Sequence, residues 1–189
     1  MKILLKYQNS EYDCGPTSFI NALAYLYERE EVPIELIKAI YEYTLDVKNS
    51  EGIVGKGGTS REKQIELGEY FNKYASETNF KIHAESTKDV TEEILKETIN
   101  KGGVIVARCF QDVEHYVLIT NIIDDMVYIF DPYYELTDEY KGDNEIKVIL
   151  DNPYEYNRII TLNRLFAGTD LNYSLMEPNK RCITLITKE

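Results

Sequence analysis

Helical periodicity fills most of the first hundred residues, and β-rich runs follow the Gly102-Gly103 pair. That segregation is the strongest constraint on the fold. Runs of helices followed by runs of strands point to an α+β architecture with an antiparallel sheet, since parallel pairing would need helical crossovers between strands. After Gly15, Phe19, Ile20, Leu23, Leu26 and Tyr27 recur on one helical face. Pro16 suits a first helical turn, where its missing N–H costs nothing. A second helix is predicted from Pro33, with Ile34, Ile37, Ile40, Tyr41 and Thr44 on one side. Thr59 and Glu62 form a Thr-x-x-Glu capping box, predicting a third helix over about 60–75. Phe80–Glu85 alternates like a strand, and Thr91–Lys101 reads as a helix. Val104–Phe110, His115–Ile123, Met126–Phe130 and Cys182–Thr187 are strand-like. The segment 157–167 fits strand or helix, and residues 3–7 a short strand or an extended arm. With 189 residues and no linker, one domain over 1–189 is expected, helical over about 14–101 and sheet over about 103–189.

Composition narrows the partners. The formal net charge of −12 argues against nucleic acid and anionic membranes, both of which need a basic patch. No apolar run approaches the roughly 20 residues of a membrane span. Met1–Lys6 begins like a signal peptide, but its three-residue apolar core Ile3-Leu4-Leu5 is far short of the roughly 7–15 needed. A cytoplasmic protein is expected. Cys14, Cys109 and Cys182 include no CxxC pair, so neither a disulfide framework nor a zinc site is indicated. Cys109 and Cys182 read as core thiols. Residues 48–59 hold four glycines but lack the Gly-Lys-Ser/Thr ending of a phosphate loop. They are expected to form a mobile loop at a cleft rim. No cofactor or metal is implied.

Cys14 stands just before the first helix, in Tyr12-Asp13-Cys14-Gly15-Pro16-Thr17. Only the thiolate is a nucleophile, and a free cysteine ionises near pH 8.5. A helix N-terminus and a nearby imidazolium both favour the anion, while Asp13 opposes it unless turned away. A buried structural cysteine is the plainer alternative. The chain has two histidines. His83 reads as structural or exposed; His115 stands where a loop becomes a strand. Asp131 ends Met126–Phe130 before Pro132, where a carboxylate can orient an imidazole or simply close a strand. Geometry constrains that pairing. A two-residue turn at Asp124-Asp125 would set Asp131 across from Leu118, facing away from His115. A common site therefore requires an odd loop near Ile123 or a bulge. Gln8, six residues before Cys14, carries an amide able to join the Cys14 backbone N–H in stabilising an oxyanion.

Together Gln8, Asp13-Cys14-Gly15-Pro16-Thr17, His115-Tyr116-Val117-Leu118-Ile119 and Tyr128-Ile129-Phe130-Asp131-Pro132 resemble the bacteriocin-processing cysteine peptidases, which remove double-glycine leaders, and their stand-alone relatives. The resemblance spans about residues 5–135. It implies a papain-like fold, with a helical half carrying the nucleophile at a helix start and packed on an antiparallel sheet half carrying His and Asp. It implies Cys14 as nucleophile, His115 as general base and acid, Asp131 as orienting residue and Gln8 as oxyanion donor. Residues 132–189 and the Gly-rich loop depart from the pattern, and no transporter segment accompanies the domain, so the substrate does not carry over. Hydrolysis of a peptide or protein, basic or glycine-rich, is the first expectation. Acyl transfer to an amine from the same site, as in transglutaminase-like enzymes, and a non-catalytic peptide-binding role are the alternatives.

Overall fold

The computed structural model describes residues 1–188. Helices α1 (Cys14–Leu26), α2 (Ile34–Tyr43) and α3 (Arg61–Thr78) precede strand β1 (His83–Thr87) and helix α4 (Glu92–Asn100). Strands β2 (Val104–Gln111), β3 (Val113–Ile123), β4 (Met126–Phe130), β5 (Ile146–Val148) and β6 (Arg158–Thr161) follow. A short helix α5 (Leu162–Leu165) and strand β7 (Ile183–Thr187) complete the order. The seven strands form one sheet, β1-β7-β2-β3-β4-β6-β5, with every neighbouring pair antiparallel. The fold is α+β.

Both sheet faces are buried, so β2 opens with the continuous apolar run Val104–Ala107 instead of alternating. Val104, Val106, Tyr116, Leu118 and Phe130 pack with Phe19 and Leu23 of α1 and Leu67 and Phe71 of α3. Ile105, Ala107, Val117, Ile119 and Ile129 face the other way, toward Leu95 of α4, Leu165, Tyr173 and Leu175. Cys109 and Cys182 are free, buried thiols.

One reading is corrected and two open ones are resolved. The α3 N-cap is Ser60, whose side chain accepts from Lys63 N–H, not Thr59. The Thr59 hydroxyl instead accepts from Leu45 N–H at 3.1 Å, tying the Gly-rich loop down. The 157–167 segment is strand and helix in succession, with Thr161 capping α5 by accepting from Arg164 N–H. Residues 3–7 stay outside the sheet. Asn21 of α1 grips Lys6, accepting from its N–H at 2.7 Å and donating to its carbonyl at 2.9 Å. That pairing replaces a strand partner and fixes the arm leading to Gln8.

The β3–β4 hairpin turns at Asp124-Asp125, with Asp124 in the left-handed region at φ 52 and Ile123 opposite Met126. The register shifts between Ile119 and Asn121, after which Ile119 pairs with Ile129 and Leu118 with Phe130. This bulge moves Asp131 from opposite Leu118 to the level of Val117, on the face shared with His115.

Candidate active site

Cys14 is the first residue of α1 and 7% exposed. The N–H groups of a first helical turn have no intrahelical acceptor, so their positive end lies against the sulfur. Asp13 points away from it. Its carboxylate accepts from Asn9 N–H at 3.0 Å, Ser10 N–H at 2.7 Å and the Ser10 hydroxyl at 2.6 Å. Although partial burial pushes the Asp13 pKa up, these bonds outweigh it and hold the carboxyl below its usual range. The residue that opposed a thiolate on paper thus organises the loop beside Cys14.

His115 opens the buried part of β3, and Asp131 is fully buried at the end of β4. His115 Nε2 lies 2.7 Å from Asp131 Oδ1. Desolvation disfavours the imidazolium, but the Asp131 carboxylate outweighs it, and a weaker interaction with Cys14 adds to the upward shift of His115. Burial likewise pushes Asp131 up, and His115, Arg158 and Tyr173 together bring it below its usual value. With Nε2 held by Asp131, Nδ1 is the ring nitrogen free to serve Cys14.

Asp131 is fixed on all sides. Tyr133 N–H donates to Oδ1 at 2.8 Å and the Tyr173 hydroxyl to Oδ2 at 2.7 Å. Asn157 clamps its backbone, accepting from Asp131 N–H and donating to Asp131 C=O, both at 2.7 Å. Buried Arg158 donates to the Tyr173 hydroxyl at 2.9 Å and to Asn157 C=O at 2.9 Å.

Gln8 reaches the site less directly than its sequence position suggested. Its amide N–H2 donates to Ser10 C=O at 2.6 Å, and its Oε1 is buried without a partner. The Gln8 N–H donates to Pro132 C=O at 2.8 Å, joining the arm to the Asp131-Pro132 turn. One amide hydrogen is therefore committed, and one remains. His83 is exposed on β1 at the sheet edge, away from these groups.

Two clefts flank the pair. One, of about 550 Å³, is lined by Gln8, Glu11, Asp112, His115, Glu135 and Glu139 among others. The other, of about 270 Å³, includes Cys14, Gly57, Gly58, Arg61, Arg108 and Tyr116. The Gly-rich loop thus walls the cysteine side. Arg108 is almost wholly buried there and pairs with Glu114. Among the described residues, no group of three or more His, Cys, Asp or Glu is placed to hold a metal ion. Likewise no helix is long and apolar enough to cross a membrane.

A family model described as the Peptidase_C39-like family matches residues 2–159. The chain belongs to the C39-like peptidase family. The match ends within β6, so α5, β7 and the segment between them lie outside it. Among solved structures, the chain resembles a Bacillus anthracis protein provisionally assigned as a C39-like peptidase. The likeness has a TM-score of 0.52 at 14% identity, covering 100% of this chain and 98% of that one. At that identity it speaks for the fold, which agrees with a papain-like α+β arrangement. No curated protein sequence matches.

Membership of this family supports a cysteine peptidase and hence a peptide or protein substrate. The residues that sequence patterning missed are those behind the pair. Asn157, Arg158 and Tyr173 follow Asp131 by 26, 27 and 42 positions and carry no periodic or motif signal.

Proposed function

We propose that the chain is a papain-like cysteine peptidase acting through Cys14, His115, Asp131 and Gln8. The supporting observation is the 2.7 Å contact of His115 Nε2 with buried Asp131, beside a cysteine at a helix start. Cys14 Sγ, its proton passed to His115 Nδ1, attacks a peptide carbonyl carbon. The C=O electron pair moves to oxygen, where the Cys14 backbone N–H and the uncommitted Gln8 amide hydrogen stabilise the charge. As the carbonyl re-forms, the C–N bond breaks and the His115 proton goes to the leaving amine. Water, deprotonated by His115, then releases the acid and restores the thiol. Asp131 fixes the ring so that Nδ1 faces sulfur throughout.

Glu11, Asp112, Glu135 and Glu139 line the histidine-side cleft, and glycines wall the cysteine side. The acidic lining of the histidine side favours a basic peptide, and the small residues on the cysteine side leave room for a chain to approach closely. The three free cysteines agree with a reducing, cytoplasmic setting.

The test is exposure of a mixed peptide library to the full chain and to Cys14→Ala, with mass spectrometry of new termini and an added primary amine. New carboxyl termini that depend on Cys14 are expected. Amine adducts in their place would mean acyl transfer, and neither product would refute both.

A further inference from the structure

Asp131 is gripped from a side that a Cys–His–Asp arrangement does not itself require. His115 and Tyr133 N–H occupy Oδ1, and the Tyr173 hydroxyl donates to Oδ2 at 2.7 Å. Among the described residues, Tyr173 is the one hydrogen-bond donor to Oδ2. Tyr173 belongs to the segment joining α5 to β7, beyond residue 159, where the family match ends.

Its backbone marks the position further. Tyr173 lies in the left-handed region at φ 67. A bulky residue there, as also at Leu45 and Met176, is held only where its surroundings over-determine it. The surroundings are rigid. Tyr173 N–H donates to Phe110 C=O at 2.7 Å, and Phe110 N–H donates to Ser174 C=O at 2.9 Å, which staples the segment to the end of β2. The ring is fully buried against the sheet.

We infer that Tyr173 is a positioning residue for the Asp131–His115 pair, supplied to the site by a segment outside the family match. The inference rests on the reading of His115 as the catalytic base. The hydroxyl fixes the second carboxylate oxygen, so the plane of Asp131, and with it the ring plane of His115, has one setting. It also stabilises the ionised carboxylate of Asp131, which is itself wholly buried.

The competing role, that Tyr173 merely satisfies buried Arg158, is weaker. Arg158 also donates to Asn157 C=O at 2.9 Å and Tyr133 C=O at 3.3 Å, and pairs with Glu135 at 3.4 Å. Burial and the nearby carboxylate hold the Tyr173 phenol well above its usual pKa, so it remains a donor. The charged or titratable groups around Asp131 are His115 from β3, Cys109 from β2, Arg158 from β6, and Tyr133, Tyr140 and Tyr173 from the loops. Glu135 reaches the cluster through Arg158 and Tyr140.

The test is a histidine side-chain NMR titration of the full chain, in which only two imidazoles report, as wild type, Tyr173→Phe and Tyr27→Phe. Tyr27→Phe is a control that removes a partly buried tyrosine hydroxyl bond, to Lys81 C=O, remote from the site. Iodoacetamide labelling of Cys14 against pH runs alongside. In Tyr173→Phe, the acid-side transition felt by His115 should move up by about one pH unit, the scale of one hydrogen bond to a charged group. With the His115 ring plane no longer fixed, the labelling rate of Cys14 near pH 7 should fall roughly tenfold. Tyr27→Phe should lose thermal stability and shift neither curve. If the Tyr173→Phe and wild-type His115 titrations superimpose, the inference fails, whatever the stability change. If Cys14 is unreactive throughout but His115 still shifts, the positioning stands and the nucleophile assignment falls. Should Tyr173→Phe not fold, 3-fluorotyrosine at 173, a stronger donor of nearly the same size, should move the acid-side transition down. No movement there would equally refute it.

Discussion

Asp131→Asn keeps the shape of the residue at the centre of the site and removes its charge. An asparagine Oδ1 can still accept from His115 and Tyr133, and its amide nitrogen would face the Tyr173 hydroxyl, which can turn toward Tyr140 at 3.1 Å. Packing therefore survives, and the loss is electrostatic. Buried Arg158 keeps Glu135 at 3.4 Å and the Tyr173 hydroxyl at 2.9 Å but loses its longer-range attraction to the Asp131 carboxylate. Removing one partner of a buried charge pair costs about 3–5 kcal/mol. The lower end is expected here, because Glu135 remains. The pH dependence carries more information than the magnitude. In the unfolded chain His115 ionises near 6.5, and in the fold Asp131 raises it against the opposing effect of burial. Below the unfolded value, both states hold the proton and the stabilisation is complete. As pH rises, the unfolded chain releases it first, and stability falls by about 1.4 kcal/mol per unit until the raised folded value is passed. In Asp131→Asn burial dominates, opposed only by the weaker Cys14 interaction, and the His115 pKa drops below its unfolded value. Stability from this group should then rise toward about pH 6.5 and level off. Urea unfolding from about pH 5 to about pH 10 measures both slopes. If wild type and variant lose stability in parallel above pH 6.5, Asp131 does not raise His115 and the reasoning is wrong.

Other perturbations probe the surrounding frame. Asn157→Ala removes both bonds to the Asp131 backbone, with an expected cost of roughly 2–3 kcal/mol by chemical unfolding and slower Cys14 alkylation. Gly15→Ala places a Cβ 2.6 Å from Thr59 Oγ1, so the loop beside Cys14 must shift. A loss of about 1–3 kcal/mol in urea unfolding should accompany altered labelling of Cys14. Ser60→Ala deletes the α3 cap and should cost about 1 kcal/mol in thermal unfolding. No measurable cost would mean that the Ser60 hydroxyl does not cap α3.

Local patterning made the helices and the central strands legible because their apolar residues serve one purpose each. Phe19 and Leu23 face the sheet, and Val104–Ala107 sit inside it. The β3–β4 bulge was accessible by parity alone, since Asp131 and His115 can share a face only if the register slips. What stayed hidden depends on long-range partners. Residues 3–7 have strand character, but Asn21, on a helix, supplies their partner, so they never enter the sheet. Thr59 sits in a good capping box, yet the loop recruits its hydroxyl for Leu45 and passes the cap to Ser60. Strand β5 has three residues and pairs only with β6, too short to show alternation. At the site, Cys14, His115 and Asp131 stood out because their chemistry restricts the choice. Tyr173 and Arg158 look like any tyrosine and arginine until the fold buries them beside a carboxylate.

The central claim is that Cys14 is a nucleophile activated by His115. Its most direct test is the alkylation rate of Cys14 against pH, each cysteine resolved by peptide mapping, in wild type and His115→Ala. Rapid labelling of the wild type that persists to about pH 5–6 and collapses in His115→Ala is the result expected of a thiolate–imidazolium pair. Labelling that rises only near pH 8.5 in both proteins would show an ordinary thiol and contradict the account.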